Sequence, residues 1–292
     1  MKIPPFALLL LATLLWGGNF VIGRAVSGDI PPLTLAFLRW CIAFIIFFPI
    51  AYSSLKRDWR MLKTHWPIVL ILALTGVAAF NTLVYIGLHY TTSINASLMN
   101  SSTPIMIYIL SFIFLKERLS KFQMLGTALS LSGVLFIISG GSFANLLEFS
   151  FNKGDLIVVV AVFCWSIYSL LIKQYAGRLP GQSTFLITIF LGTIMLLPFY
   201  VYETLTLAEP IHWKFSTIAA ILYVGALASI VAFLSWNSGV VQLGANKASI
   251  YLNFIPVFAS IFAILFLGEQ LHTFQIIGGL AVVAGVLLSS KK

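Results

Sequence analysis

The chain has 292 residues, of which 60% are hydrophobic and only 9% charged, and its formal net charge is +9. Soluble domains carry about 25% charged residues, so this composition excludes an ordinary water-soluble globule. The basic excess does not indicate nucleic acid as a partner, because the cations gather in alternate loops between long apolar runs rather than along one face.

Ten apolar runs follow one another, near residues 4–26, 33–55, 66–89, 93–115, 120–140, 155–176, 181–202, 215–239, 247–267 and 272–289. Each approaches the ~20 residues that cross the hydrocarbon of a bilayer as a helix. They are continuous rather than alternating in short segments, which argues against a membrane β-barrel. The predicted fold is therefore an all-α membrane protein with ten transmembrane helices. The first run exceeds the apolar core of a signal peptide and has only Lys2 ahead of it, so a retained helix is expected.

Helix 1 contains "LLWGGNFVIGR" at residues 14–24. Trp16, Asn19, Phe20 and Gly23 recur at helical spacing and share one face. An indole N–H and an amide at mid-bilayer need partners. They either pack against another helix with a hydrogen bond or form a wall of a polar cavity. Gly17 and Gly18 suit close helix contact. Helix 2 carries Arg39 inside its apolar run, expected to pair with helix-end carbonyls or to snorkel outward, with substrate contact as the alternative. The "KRDWRMLK" segment at 56–63 suits anionic headgroups.

Helix 3 aligns Asn81, Tyr85 and His89. Helix 4 aligns Ser93, Ser97, Asn100 and Pro104, with Ser101 adjoining. Pro104 cannot donate to the carbonyl of Asn100, which predicts a loosened backbone and a kink at membrane depth. Ser120 and Gln123 have capping-box spacing for helix 5. Helix 6 repeats the pattern of helix 1 with Trp165, Tyr168, Ser169 and Ile172. Helix 8 adds Trp236 and Asn237 near its end, where interfacial anchoring is an equal reading. Helix 9 supplies Lys247, Ser249, Tyr251 and Asn253 ahead of a second kink residue, Pro256, which frees the carbonyl of Leu252. Glu117 and Glu269 read as turn and helix-end residues, and small residues in helices 5 and 10 suggest close packing, possible also at a dimer contact. Cys41 and Cys164 lie in apolar helices, and no metal-ligand spacing or disulfide framework is present.

The chain repeats itself. Trp16 and Trp165, Arg24 and Lys173, and Pro49 and Pro198 each stand 149 positions apart. Residues 96–126 align without gaps to 248–278 at an offset of 152, pairing Pro104 with Pro256, Glu117 with Glu269, Gln123 with Gln275 and Gly126 with Gly278. Residues 1–140 and 154–290 thus form two five-helix repeats. Five crossings return the chain on the opposite side, so the second repeat is inverted, as in many secondary transporters whose site lies between the halves. With ten helices one side holds Lys2, Lys56, Arg57, Arg60, Lys63, Lys116, Arg118, Lys121, Lys173, Arg178, Lys247, Lys291 and Lys292, and the other only Arg24, Lys153 and Lys214. Both termini are expected to be cytoplasmic.

The segments "LLWGGNFVIGRAVSGDIPPLTLAFLRW", "NASLMNSSTPIMIYILSFIFLKERL" with its trailing "GTALSLSGV", and the parallel "GEQL" and "GGLAVVAGV" resemble the EamA-like ten-helix family of the drug/metabolite transporter superfamily. The resemblance covers essentially the whole chain. It implies a plasma-membrane carrier of small metabolites, often an exporter of amino acids or related compounds, with a cavity lined by helices 1, 3, 4, 6, 8 and 9. Lys247 departs from its repeat counterpart Asn95 and would bias the site toward anionic groups.

The expected function is secondary transport of small amphipathic metabolites, by preference export of amino acids or their relatives through alternating access. The alternative is uptake or exchange of a vitamin- or nucleotide-like anion. Enzymatic motifs and a Walker loop are missing from the sequence, so no catalytic residue, metal or cofactor is expected. The expected partners are the small-molecule substrate and membrane lipid, with the protein a monomer or a homodimer. The candidate substrate-binding residues are Trp16, Asn19, Phe20, Asn81, Tyr85, Ser97, Asn100, Ser101, Trp165, Tyr168, Trp236, Lys247, Ser249, Tyr251 and Asn253.

Overall fold

The computed structural model describes residues 4–116, 120–147, 151–175, 177–206, 211–243 and 250–289. Ten helical spans account for the ten apolar runs. They are α1 (Pro5–Ala25), α2 (Pro32–Thr64), α3 (Trp66–Leu88), α4 (Ser93–Asn100 continued by Thr103–Leu115), α5 (Lys121–Ile138), α6 (Lys153–Gln174) and α7 (Gly181–Thr206). They continue with α8 (Phe215–Leu222, Tyr223–Val231 and Ala232–Leu243), α9 (Ile250–Asn253, Phe254–Phe262 and Ala263–Leu267) and α10 (Thr273–Ser289). Eight have the length and apolarity to cross a membrane, and the apolar segments Tyr251–Leu267 and Thr273–Leu288 are shorter.

Local chemistry explains where the helices begin and bend. Proline occupies the first turn of α1 and of α2, where its missing N–H costs nothing. Ser120 and Gln123 form the expected capping box at the start of α5. The 33 residues of α2 exceed the predicted span 33–55 and carry the basic segment as helix. Charge ends a membrane crossing without ending the helix, since Lys, Arg and Met are good helix formers. Three spans change pitch internally: α3 is π-helical over Ala73–Ala79, α8 over Tyr223–Val231 and α9 over Ala263–Leu267.

The break at Pro104 is a full interruption of α4 at Ser101–Ser102, more than a kink. The carbonyl of Asn100 is not left for a ligand, because the Thr103 hydroxyl donates to it at 2.6 Å. That corrects the expectation drawn from Pro104: a neighbouring hydroxyl satisfies the freed acceptor locally.

Helix contacts follow the repeat. The first span, α1, packs on α8 and α9, while its counterpart α6 packs on α3 and α4. Helices α2 and α7, α4 and α9, and α5 and α10 each pair with their own repeat partner. Contacts that recur when the halves are exchanged are what a two-fold relation between inverted repeats produces. The tightest of these pairs is α5 with α10, where a Cβ built on Gly133 would stand 2.6 Å from the carbonyl of Gly278. The small-residue stripes of both helices thus face each other within one chain.

Two helix N-termini are capped by distant carboxylates. Glu203 of α7 accepts from the amides of Leu33 (3.1 Å) and Thr34 (2.6 Å) and from the Thr34 hydroxyl (2.8 Å) at the start of α2. Glu269 accepts from the amides of Ser93 (3.0 Å) and Ile94 (3.2 Å) at the start of α4. Gly268, with φ +65°, makes the left-handed turn that ends α9 and delivers Glu269 there. Carboxylates at helix N-termini, buried at Glu203 and half-buried at Glu269, answer both the unpaired amides and the helix dipole. Glu269 is thus a helix-end residue, as expected; Glu117 lies outside the described residues.

Candidate functional site

Six spans converge on one cavity at the boundary of the two repeats. Its lining is Trp16, Asn19 and Phe20 from α1, Phe80 and Asn81 from α3, Asn100 from α4, Trp165 from α6, Phe233 from α8, and Leu252 and Ile255 from α9. These are the six helices the family resemblance implies. Helical periodicity puts the α1 residues on one face, and the repeat brings Trp165 opposite Trp16. The void has about 20 Å³ for a water-sized occupant, roughly one water molecule. In this conformation the cavity has no room for a metabolite.

The aromatic wall is a packed cluster. Trp16 meets Trp165 (centroids 6.2 Å), Phe233 (5.6 Å) and Trp236 (5.5 Å). Trp165 in turn meets Phe80 (4.7 Å) and stacks on Tyr168 (4.9 Å). The Trp16 indole donates to the carbonyl of Ala228 at 3.1 Å, within the π-helical part of α8. Trp16 thus makes an interhelical hydrogen bond and also lines the cavity.

Behind the amides lies a buried polar network centred on Arg39. Its Nε donates to the Ser229 hydroxyl at 2.6 Å, its Nη1 to Asn19 Oδ1 (2.9 Å) and to the Tyr85 hydroxyl (2.7 Å), and its Nη2 reaches the Ala228 carbonyl at 3.5 Å. The Tyr85 hydroxyl in turn donates to Asn19 Oδ1 at 2.8 Å. The guanidinium also sits 5.1 Å from the centre of the Trp40 ring. Arg39 is 1% exposed. It neither snorkels nor seeks a helix end, contrary to the sequence expectation, because side-chain partners from α1, α3 and α8 are gathered around it.

The other candidates divide clearly. Asn81 and Asn100 line the cavity with buried polar atoms, Asn81 Nδ2 and Asn100 Oδ1, that have no hydrogen-bond partner. Ser97 and Ser101 turn their hydroxyls onto their own helix, at 2.9 Å to Ile94 O and 3.5 Å to Ser97 O. Tyr85 and Tyr168 stand behind the lining, and Trp236 joins the aromatic cluster from its edge. Tyr251 and Asn253 lie on the short 3-10 turn that opens α9, where Tyr251 packs on Phe254 and Asn253 Oδ1 is buried without a partner. Pro256 is buried in the first turns of the α-helical part of α9, next to the lining residue Ile255. Asn237 is exposed. Lys247 and Ser249 lie outside the described residues. Phe80, Phe233, Leu252 and Ile255 were not anticipated, since an apolar residue in an apolar helix carries no mark of a cavity wall. Both cysteines are free.

The model of the EamA-like transporter family matches this chain twice, over residues 4–139 and 152–291. The chain belongs to the EamA-like transporter family. Two EamA-like relatives span nearly the whole of it: the uncharacterized transporter YyaM of Bacillus subtilis is 28% identical, covering 98% of this chain and 93% of that one. An uncharacterized transporter of Archaeoglobus fulgidus is 29% identical, covering 98% and 96%. A protein of Streptantibioticus cattleyicolor named a probable terminal-alkyne amino-acid exporter is 26% identical over 77% of this chain and 73% of its own length. One crystal structure of a protein superposes with a TM-score of 0.66 at 20% identity, over 97% of this chain and 95% of that one, and bears on the fold alone. This EamA-like protein is thus a multi-pass membrane transporter, and the family and these relatives are transporters, not enzymes.

Proposed function

We infer that this transporter exports small amphipathic metabolites, amino acids or close relatives, by alternating access. The observation that carries the reading is the pairing of unsatisfied amides with an aromatic wall in one cavity. Asn81 Nδ2 and Asn100 Oδ1 offer a donor and an acceptor, which an α-amino acid answers with its carboxylate and ammonium. Trp165, Phe233 and Phe80 offer apolar contact for a side chain. A buried polar atom without a partner costs on the order of 1–3 kcal/mol, and a substrate that satisfies it recovers that cost. The cavity is too small for such a solute as it stands, so loading requires the helices to part on one side. The relative named as an amino-acid exporter agrees with this reading. The charge asymmetry of the loops supports cytoplasmic termini in a bacterial-type inner membrane.

The test is counterflow of labelled free amino acids into liposomes containing only this protein, paired with growth on toxic amino-acid analogues. Export predicts resistance on overexpression. Sensitivity on overexpression would instead favour uptake, and no flux of any amino acid would remove the substrate class.

A further inference from the structure

The repeat is broken at the cavity in a consistent direction. At the offset of 149, Asn19 corresponds to Tyr168 and Arg39 to Thr188; at 152, Asn100 corresponds to Leu252. The amides of the lining, Asn19, Asn81 and Asn100, all come from the first repeat, and the second repeat contributes Trp165, Phe233, Leu252 and Ile255. The buried cation is likewise confined to the first repeat. Among the described residues no carboxylate lies within ion-pair distance of Arg39.

A guanidinium has only donors, and it cannot shed its proton. The Asn19 atom that receives Arg39 must therefore be the oxygen, and the Tyr85 hydroxyl fills the remaining lone pair. The group left to Asn19 for the cavity is its Nδ2 donor. The unpartnered Nδ2 of Asn81 belongs to the same lining, as does the unpartnered Oδ1 of Asn100. The first-repeat lining thus presents two amide donors and one acceptor, with the donor of Asn19 backed by an uncompensated positive charge where a charge is screened far less than in water.

We propose that Arg39, acting through Asn19, makes a free carboxylate obligatory in the substrate and orients it toward the first repeat, with the apolar part against Trp165 and Phe233. The proposal rests on the amino-acid reading above and adds to it the group that is selected and the residue that selects. Arg39 is a positioning residue here: it holds Asn19 in the donor orientation and supplies the field, without lining the cavity itself.

The experiment compares labelled phenylalanine with phenylalanine amide in liposomes carrying the full chain, and reads the ratio of their transport. The wild type should favour the acid by on the order of 10- to 100-fold. Arg39→Lys should keep the preference in direction, and Arg39→Gln should bring the ratio near one. Asn19→Asp places a carboxylate against Arg39, keeps the network together where Arg39→Gln fails to fold, and should abolish or reverse the preference. A structural role for Arg39 would lower both fluxes and leave the ratio alone. Equal transport of acid and amide by the wild type, or an unchanged ratio in Asn19→Asp, overturns this proposal and leaves the carrier reading standing. Transport of neither compound, nor of any other free amino acid, overturns the amino-acid reading and this proposal with it.

Discussion

Trp16 and Trp165, equivalent residues of the two repeats, meet edge to face across the cavity with ring planes at 77°. Each comes from a different repeat, so their contact joins the two repeats at the cavity.

Trp16→Ala should abolish substrate flux. It removes a buried indole from the middle of the cluster and costs about 3–5 kcal/mol of stability. Trp16→Phe keeps most of the ring contacts but loses the bond to Ala228, so it should retain flux and lose only about 1 kcal/mol. Liposome flux and thermal unfolding in detergent, measured on both variants, check this. Full flux in Trp16→Ala would assign the residue to packing alone.

Glu203→Ala should lower the unfolding temperature more than Glu203→Gln. The carboxylate receives three hydrogen bonds at the buried start of α2. An amide retains one acceptor oxygen and loses the charge that opposes the helix dipole, at about 1 kcal/mol. Alanine leaves the amides bare, at about 1–3 kcal/mol. Equal unfolding temperatures for the two variants would show that the cap carries no stability.

Gly278→Leu should leave little folded protein. A Cβ at this position already falls 2.5 Å from Ile137 Cγ1 and 2.9 Å from the Gly133 carbonyl. Overpacking of this kind costs about 1–3 kcal/mol or more. Gly28→Ala is the matched control, because nothing lies within 4 Å of its added carbon. Size-exclusion profiles of the two variants give the comparison.

Flux should not follow an imposed pH gradient. Among the described residues no carboxylate or histidine lines the cavity, and Glu269 is engaged as a helix cap. Glu269→Gln should transport with the wild-type pH profile and lose stability only. A rate that tracks the gradient and collapses in this variant would make Glu269 a proton carrier.

The legible part of the site was its polar part. Asn19, Asn81, Asn100, Trp16 and Trp165 stand out because an amide or indole in an apolar helix violates the surrounding pattern and requires a partner. Arg39 stood out equally, but its role did not, since its partners lie 20, 46 and 190 positions away in the chain. Ser97 and Ser101 of α4 donate to carbonyls of their own helix. A hydroxyl satisfied by its own helix gives the same sequence signal as one facing a ligand.

By itself the sequence determined the ten apolar runs and their two-fold duplication, because a helix needs about 20 apolar residues to cross hydrocarbon and duplicated residues keep a constant offset. Only the tertiary structure decided that Phe80, Phe233, Leu252 and Ile255 face the cavity rather than lipid. In a bilayer both surroundings are apolar, so an apolar side chain carries no sign of which of the two it faces. The same holds for the closing of Asn19 onto Arg39, which is a meeting of two helices and belongs to neither alone.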